Sequence, residues 1–132
     1  MPLSRLPLEM REKIENILHE LDLYDKKHEK AGNLSGGQMR LLEIGRLYLQ
    51  DMKLFLLDEP TAGVAPKLKG KVIGILNKIL HTGKTIIIVE HDFGFLSEFV
   101  HHFYLMDDGR VVFEGNHKAM RDSDVIKEIY FG

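Results

Sequence analysis

The 132-residue chain has no cysteine, no tryptophan and only four prolines. Without cysteine there can be no disulfide, no thiolate catalysis and no thiolate metal site, an absence that fits a cytosolic protein. Long apolar runs are also missing. The longest are LFLL at 54–57 and IIIV at 86–89, far below the ~18 residues that a membrane-crossing helix needs. The opening MPLSRLPLEM lacks the extended apolar region expected of a secretory leader. Charge of one sign is not in excess either: 18 Lys and Arg against 20 Asp and Glu leave a net charge of −2. Nothing in the overall charge selects nucleic acid or an anionic membrane as a partner. There is no internal repeat and no low-complexity tract. What is present is 44% hydrophobic, enough to build one small domain or a piece of a larger one.

The centre of the chain is the stretch 34–60, LSGGQMRLLEIGRLYLQDMKLFLLDEP. It holds a Ser-Gly-Gly turn, an apolar-periodic helix, and a short apolar run that ends in two carboxylates and a proline. Ser35 can cap a helix running from 36–37 to about 49, with Met39, Leu42, Leu47 and Tyr48 on its inner faces. Two glycines in a first helical turn cost about 1 kcal/mol each relative to alanine. They make sense where something must approach the backbone closely. Free N–H groups at a helix start, with no Cβ in the way, suit a phosphate. The plainer alternative is a glycine-containing turn before an ordinary capped helix.

Residues 53–57 read as a buried parallel strand. Asp58 and Glu59 follow at its C-terminal end, and Pro60 stops the pairing. That edge of an α/β sheet is where ligands bind. Neighbouring residues on a strand point to opposite sides, so one carboxylate can hold Mg²⁺ while the other addresses a water. A polar turn is the alternative for such a pair standing alone.

The flanking elements follow from periodicity. A helix is predicted over 8–21, with Met10, Ile14, Ile17, Leu18 and Leu21 inward, followed by a polar loop over 25–33. Pro66 opens a helix to about 80, with Leu68, Val72, Ile75, Leu76 and Ile79 inward, and Gly83 closes it. A second buried strand spans 84–89 and ends in Glu90-His91-Asp92. A short helix at 93–100 and a strand at 103–106 come next. Asp108-Gly109 turns the chain into a strand at 111–113 that Gly115 ends, and a terminal helix spans about 123–130. Gly83-Lys84-Thr85 is a decoy for a phosphate-binding loop. Lys78 stands where the first glycine belongs, and the tripeptide follows a helix instead of opening one. The adjacent His101 and His102 have no further ligands in sequence to make a metal site.

Taken together, LSGGQ at 34–38, LFLLDEP at 54–60, AGVAP at 62–66 and His91 resemble, in order and spacing, the signature motif, Walker B strand, D-loop and switch histidine of ABC-type ATPases. The resemblance covers nearly the whole chain as the C-terminal part of a nucleotide-binding domain. It implies an α/β, partial P-loop NTPase fold: a helical signature portion over 1–50, then a partial RecA-like core over 51–132 with parallel strands, flanking helices and a C-terminal hairpin. It also implies roles. Asp58 would organise Mg²⁺ through water, Glu59 would be the general base, and His91 would contact the γ-phosphate. Ser35, Gly36, Gly37 and Gln38 would bind the γ-phosphate of ATP held by a second ATPase subunit. AGVAP and the ending DSDVIKEIYFG are similar to ATPase subunits of branched-chain amino-acid importers, and to lipopolysaccharide-export and urea-import ATPases. Ala65 departs from the Asn or Asp usual in that D-loop. Transmembrane permease subunits are the implied partners, and the cytoplasmic side of the membrane is the implied location. Soluble ABC ATPases of DNA repair or translation fit less well, because the charge is near neutral and LSGGQ is unmodified.

The N-terminal half of such a domain does not appear in these residues. There is no Walker A loop with its lysine, no adenine-stacking strand and no Q-loop. The expectations are a chain that binds and hydrolyses no ATP alone, and a sheet that lacks its P-loop strand between the strands at 84–89 and 103–106. Open edges there favour an oligomer. A non-catalytic protein that docks on an intact ATPase or permease is the second reading.

Overall fold

The structure, a computed structural model, describes residues 5–124. It divides into two compact units, Met1–His91 and Asp92–Gly132. In the first, α1 (Leu8–Glu20) leads through two 3₁₀ turns (Tyr24–Lys26 and Ala31–Asn33) to α2 (Gly36–Tyr48). Then β1 (Leu54–Asp58), α3 (Pro66–His81) and β2 (Thr85–Val89) form a β–α–β unit. The strands pair in parallel, with Leu56 opposite Ile87 and Asp58 opposite Val89. Pro66 opens α3, where its fixed φ suits the first turn and its missing N–H costs nothing. Gly83, at φ +77°, ends the helix segment in the left-handed conformation.

The core of this unit gathers on α3. Val72, Ile75, Leu76 and Ile79 are buried along one stripe, together with Ile17, Leu21, Leu41 and Ile44 from the preceding helical segment. Burial of each such side chain is worth about 1.5–3 kcal/mol. Lys71 Nζ adds bonds to Asp22 Oδ2 and the Glu20 carbonyl, both at 2.9 Å, and Lys78 pairs with Glu20. The inward stripe of α2 is Leu41, Ile44 and Gly45. The expected Met39, Leu42, Leu47 and Tyr48 are only half-buried. The reason is Gly45: a Cβ there would stand 2.6 Å from Leu21 Cδ1 and 2.9 Å from Ile17 Cγ2. The bare backbone lets the two helical segments meet at this point, and that meeting sets the rotation of α2. Met10, expected inward, is exposed.

The strands are parallel as expected but are not buried on both sides. Phe55 is buried and Leu57, Ile86 and Ile88 are half-buried, while Leu54, Leu56, Ile87 and Val89 are exposed. The crossover helix shields one face only, and an unbroken apolar run does not reveal which faces find cover.

In the second unit, α4 (Phe93–Ser97) is capped by Asp92, whose side chain accepts the Phe95 N–H at 3.0 Å. It is shorter than the expected 93–100. β3 (His102–Asp107) and β4 (Arg110–Asn116) form an antiparallel hairpin through Asp108 and Gly109, both at positive φ, as a two-residue turn requires. Gly115 does not end β4. It lies within the strand, opposite Phe103, where a Cβ would come within 2.9 Å of the Phe113 ring and 3.0 Å of Ala119. A further helix, α5 (His117–Asp122), is capped by Asn116 and was not expected. Phe103 and Met120 form a buried cluster in this unit, with Phe93, Leu96, Val100, Leu105 and Phe113 packed on it. Most of the terminal helix expected at 123–130 lies outside the described residues. Among those residues there are two separate two-stranded sheets, so β2 pairs only with β1 and β3 only with β4.

Gly45→Val should therefore lower stability by about 1–3 kcal/mol through overpacking. Gly74→Ala on α3, where a Cβ meets open space, should raise it by about 0.5–1 kcal/mol. Urea unfolding of the two variants checks the contrast.

Candidate functional site

Ser35 caps α2 through both halves of a capping box. Its Oγ accepts the Gln38 N–H at 3.3 Å, and its own N–H donates to Gln38 Oε1 at 3.0 Å. The Ser35 carbonyl takes the Met39 N–H at 2.8 Å. Gly36 and Gly37 occupy the first turn, where helix geometry gives an N–H no intrahelical partner. A Cβ on Gly36 would meet nothing within 4 Å, and one on Gly37 would touch the Gly63 carbonyl at 3.4 Å. The site is open, and its remaining donors suit an anion. Gln38 meanwhile has its side-chain oxygen engaged in the cap.

Because β1 and β2 run in parallel, they release Asp58-Glu59 and Glu90-His91 at the same end. Asp58 lies on the exposed face with Leu56 and Val89. Glu59 leaves the strand at φ +43°, a left-handed conformation that costs a non-glycine residue roughly 1–2 kcal/mol. Backbone bonds hold it there. Its N–H donates to the Val89 carbonyl at 2.9 Å, and its carbonyl accepts from the Ala62 N–H at 3.0 Å and from the Arg40 guanidinium at 3.1 Å. The Glu59 side chain therefore turns toward His91, whose Nδ1 lies 3.6 Å from Glu59 Oε1 and 3.8 Å from Glu90 Oε2. Glu59 and His91 are accessible, with side chains 53% and 80% exposed.

The structure thus brings Glu59 to His91, and joins the start of α2 to the loop after β1 through the Arg40–Glu59 bond, with the Gly63 carbonyl lying near Gly37. Three contributors were not singled out from sequence: Arg40, Thr61 and Glu90. Arg40 lies about one turn into α2, past the glycine turn that carries the local signal. Thr61 and Glu90 are 29 residues apart in sequence and meet only through strand pairing. Among the described residues no three acidic or histidine side chains form a metal cage. Asp58, exposed at the end of β1, would be enough for a magnesium ion brought with phosphates, since such an ion takes only one or two protein carboxylates.

A capped glycine turn, a parallel β–α–β unit and paired carboxylates at its C-terminal edge are the parts of a nucleotide-binding α/β domain. A family model described as "ABC transporter" matches residues 3–62. A probable branched-chain amino acid transport ATP-binding protein, LivG, of Methanocaldococcus jannaschii is 38% identical over 129 residues, covering 94% of this chain and 50% of that protein. The protein of the same name in Archaeoglobus fulgidus is 36% identical over 124 residues, covering 94% and 48%. Among solved structures, the ADP conformation of an ATP-binding cassette of an ABC transporter superposes with TM-score 0.73 at 37% identity, covering 96% of this chain and 52% of that one. The chain belongs to the ABC transporter ATP-binding family and is a partial ABC ATPase domain. It spans about half the length of the curated relatives it matches.

If the backbone bonds alone hold the turn at Glu59, then Glu59→Gly should raise the stability of this chain by about 1 kcal/mol, because glycine adopts positive φ without a Cβ clash. Urea unfolding reads this out. A clear loss of stability would show that the Glu59 side chain itself holds the turn.

Proposed function

We propose that the chain contributes the signature and Walker B half of a transporter ATPase that couples ATP binding and hydrolysis to membrane transport. The observation that carries this reading is the Glu59–His91 pair, 3.6 Å apart at the C-terminal edge of the parallel strands, beside a glycine-started helix capped by Ser35. In this reading Glu59 is the general base for the attacking water. Asp58 holds Mg²⁺ through water, and His91 meets the γ-phosphate. Ser35, Gly36, Gly37 and Gln38 meet the γ-phosphate of ATP on a second ATPase subunit. Bound Mg²⁺ would supply charge neutralisation on the β- and γ-phosphates. Residues 1–50 form the helical signature portion and 51–132 the core portion. The names of the M. jannaschii and A. fulgidus relatives support branched-chain amino-acid transport as the task, import being the direction in this reading; its partners are transmembrane permease subunits, with this chain on the cytoplasmic side of the membrane.

Two observations bear on how the chain works. These 132 residues carry no Walker A sequence, and in P-loop enzymes that loop cradles the β- and γ-phosphates. The β1–β2 sheet also leaves an apolar face open, with Leu56 72% and Val89 61% exposed. We infer that the isolated chain holds no ATP and that its open face and strand edge are covered by another polypeptide. The open apolar face equally supports a second reading, a non-catalytic protein that docks on an intact ATPase or permease.

Mixing the chain with an intact subunit separates the two. Restored or stimulated ATP hydrolysis supports the catalytic half, and inhibition supports the docking protein. In a hydrolysing mixture, Glu59→Gln should lower turnover by ~10²–10⁴-fold while ATP binding persists. Survival of turnover within a few-fold would exclude Glu59 as the base. Calorimetric titration of the isolated chain with Mg-ATP should show no saturable micromolar binding. Light scattering of the isolated chain should show an oligomer, and a clean monomer would count against a covered open face.

A further inference from the structure

The Glu90 carboxylate has no part in the roles assigned above, yet it is the most completely enclosed charged side chain at this edge, with none of its surface exposed. Enclosing a carboxylate is costly unless donors replace its water. Here three do. Oε1 accepts the Thr61 N–H at 3.0 Å and also the Thr61 hydroxyl, while Oε2 accepts the His91 N–H at 3.2 Å. Thr61 is itself buried and passes the constraint on, since its carbonyl accepts the Val64 N–H at 3.0 Å. Hydrogen bonds to an ionised acceptor are the stronger kind. Glu90 therefore ties the loop that leaves β1, two residues beyond Glu59, to the loop that leaves β2, one residue before His91. Strand pairing ends at Asp58 and Val89. Beyond it, the Glu59 N–H bond to the Val89 carbonyl and this carboxylate join the two exits.

We propose that Glu90 is a positioning residue: by clamping Thr61 to the end of β2 it holds Glu59 and His91 facing each other. Its catalytic meaning rests on the transporter-ATPase reading, but the clamp itself is a property of this chain and can be measured on it alone.

The test uses the full 132-residue chain and nuclear magnetic resonance, reading amide hydrogen exchange at Thr61 and His91 and the Overhauser contact between the His91 ring and the Glu59 side chain. In the unaltered chain both amides should be protected and the contact present. Glu90→Ala should speed exchange at both amides by about tenfold or more, as loss of a charge-assisted bond does, and should abolish the contact while α3 amides keep their protection. Thr61→Val, which removes the hydroxyl and keeps the shape, should weaken the contact. Thr61→Ser, which keeps the hydroxyl, should retain it. Persistence of the contact and of both protections in a folded Glu90→Ala chain overturns the proposal. If Glu90→Ala fails to fold, the threonine pair decides. Loss with valine and retention with serine supports the clamp, and equal behaviour of the two overturns it. Failure of the ATPase reading would appear elsewhere, as absent hydrolysis in the mixing experiment with the clamp intact.

Discussion

Parallel pairing of β1 with β2, with α3 packed against one side, is the constraint on which the candidate site depends. Parallel strands release their chains at the same end, so residues 58–61 and 89–91 emerge side by side although some 30 positions separate them. The pairing persists because α3 buries four aliphatic side chains in a continuous stripe, with the helical segment closing over them. Shifting the strand register by one residue would turn Phe55 and Leu57 outward and move Asp58 to the covered face. The site's geometry is thus a by-product of hydrophobic packing some distance from it.

At that shared end the backbone adopts a conformation it would not choose alone. Glu59 sits at positive φ, secured by bonds from the Ala62 N–H and the Arg40 guanidinium and to the Val89 carbonyl. Strain of this kind survives only where the surroundings over-determine it. Arg40 also links the helix that starts at Ser35 to the residue proposed as the base. A shift of α2 would therefore be felt at Glu59.

The sheet is half finished. One face is packed and the other presents Leu54, Leu56, Ile87 and Val89 to solvent, with Asp58 at the edge of this apolar surface. The unbroken apolar runs of the strands suit two covers, and the described residues of this unit supply one. The carboxylates and the apolar surface lie together, so a polypeptide that covered the face would also come close to Asp58.

The sequence by itself determined the order of elements as far as the β3–β4 hairpin, the parallel β–α–β unit, the capped glycine turn and the identity of the family. These are local or periodic signals: a 3.6-residue stripe on α3, a Ser-Gly-Gly cap, a proline at a helix start, and carboxylates after an apolar run. Only the tertiary structure decided which strand face is open, how α2 is rotated, that Gly115 lies within β4, and that Glu90 joins Thr61 to the neighbour of His91. An apolar run reads the same whether one face or both are covered. A glycine that ends a strand looks the same as one that makes room for a ring. A buried carboxylate is recognisable only once its donors, remote in sequence, have been brought to it by strand pairing.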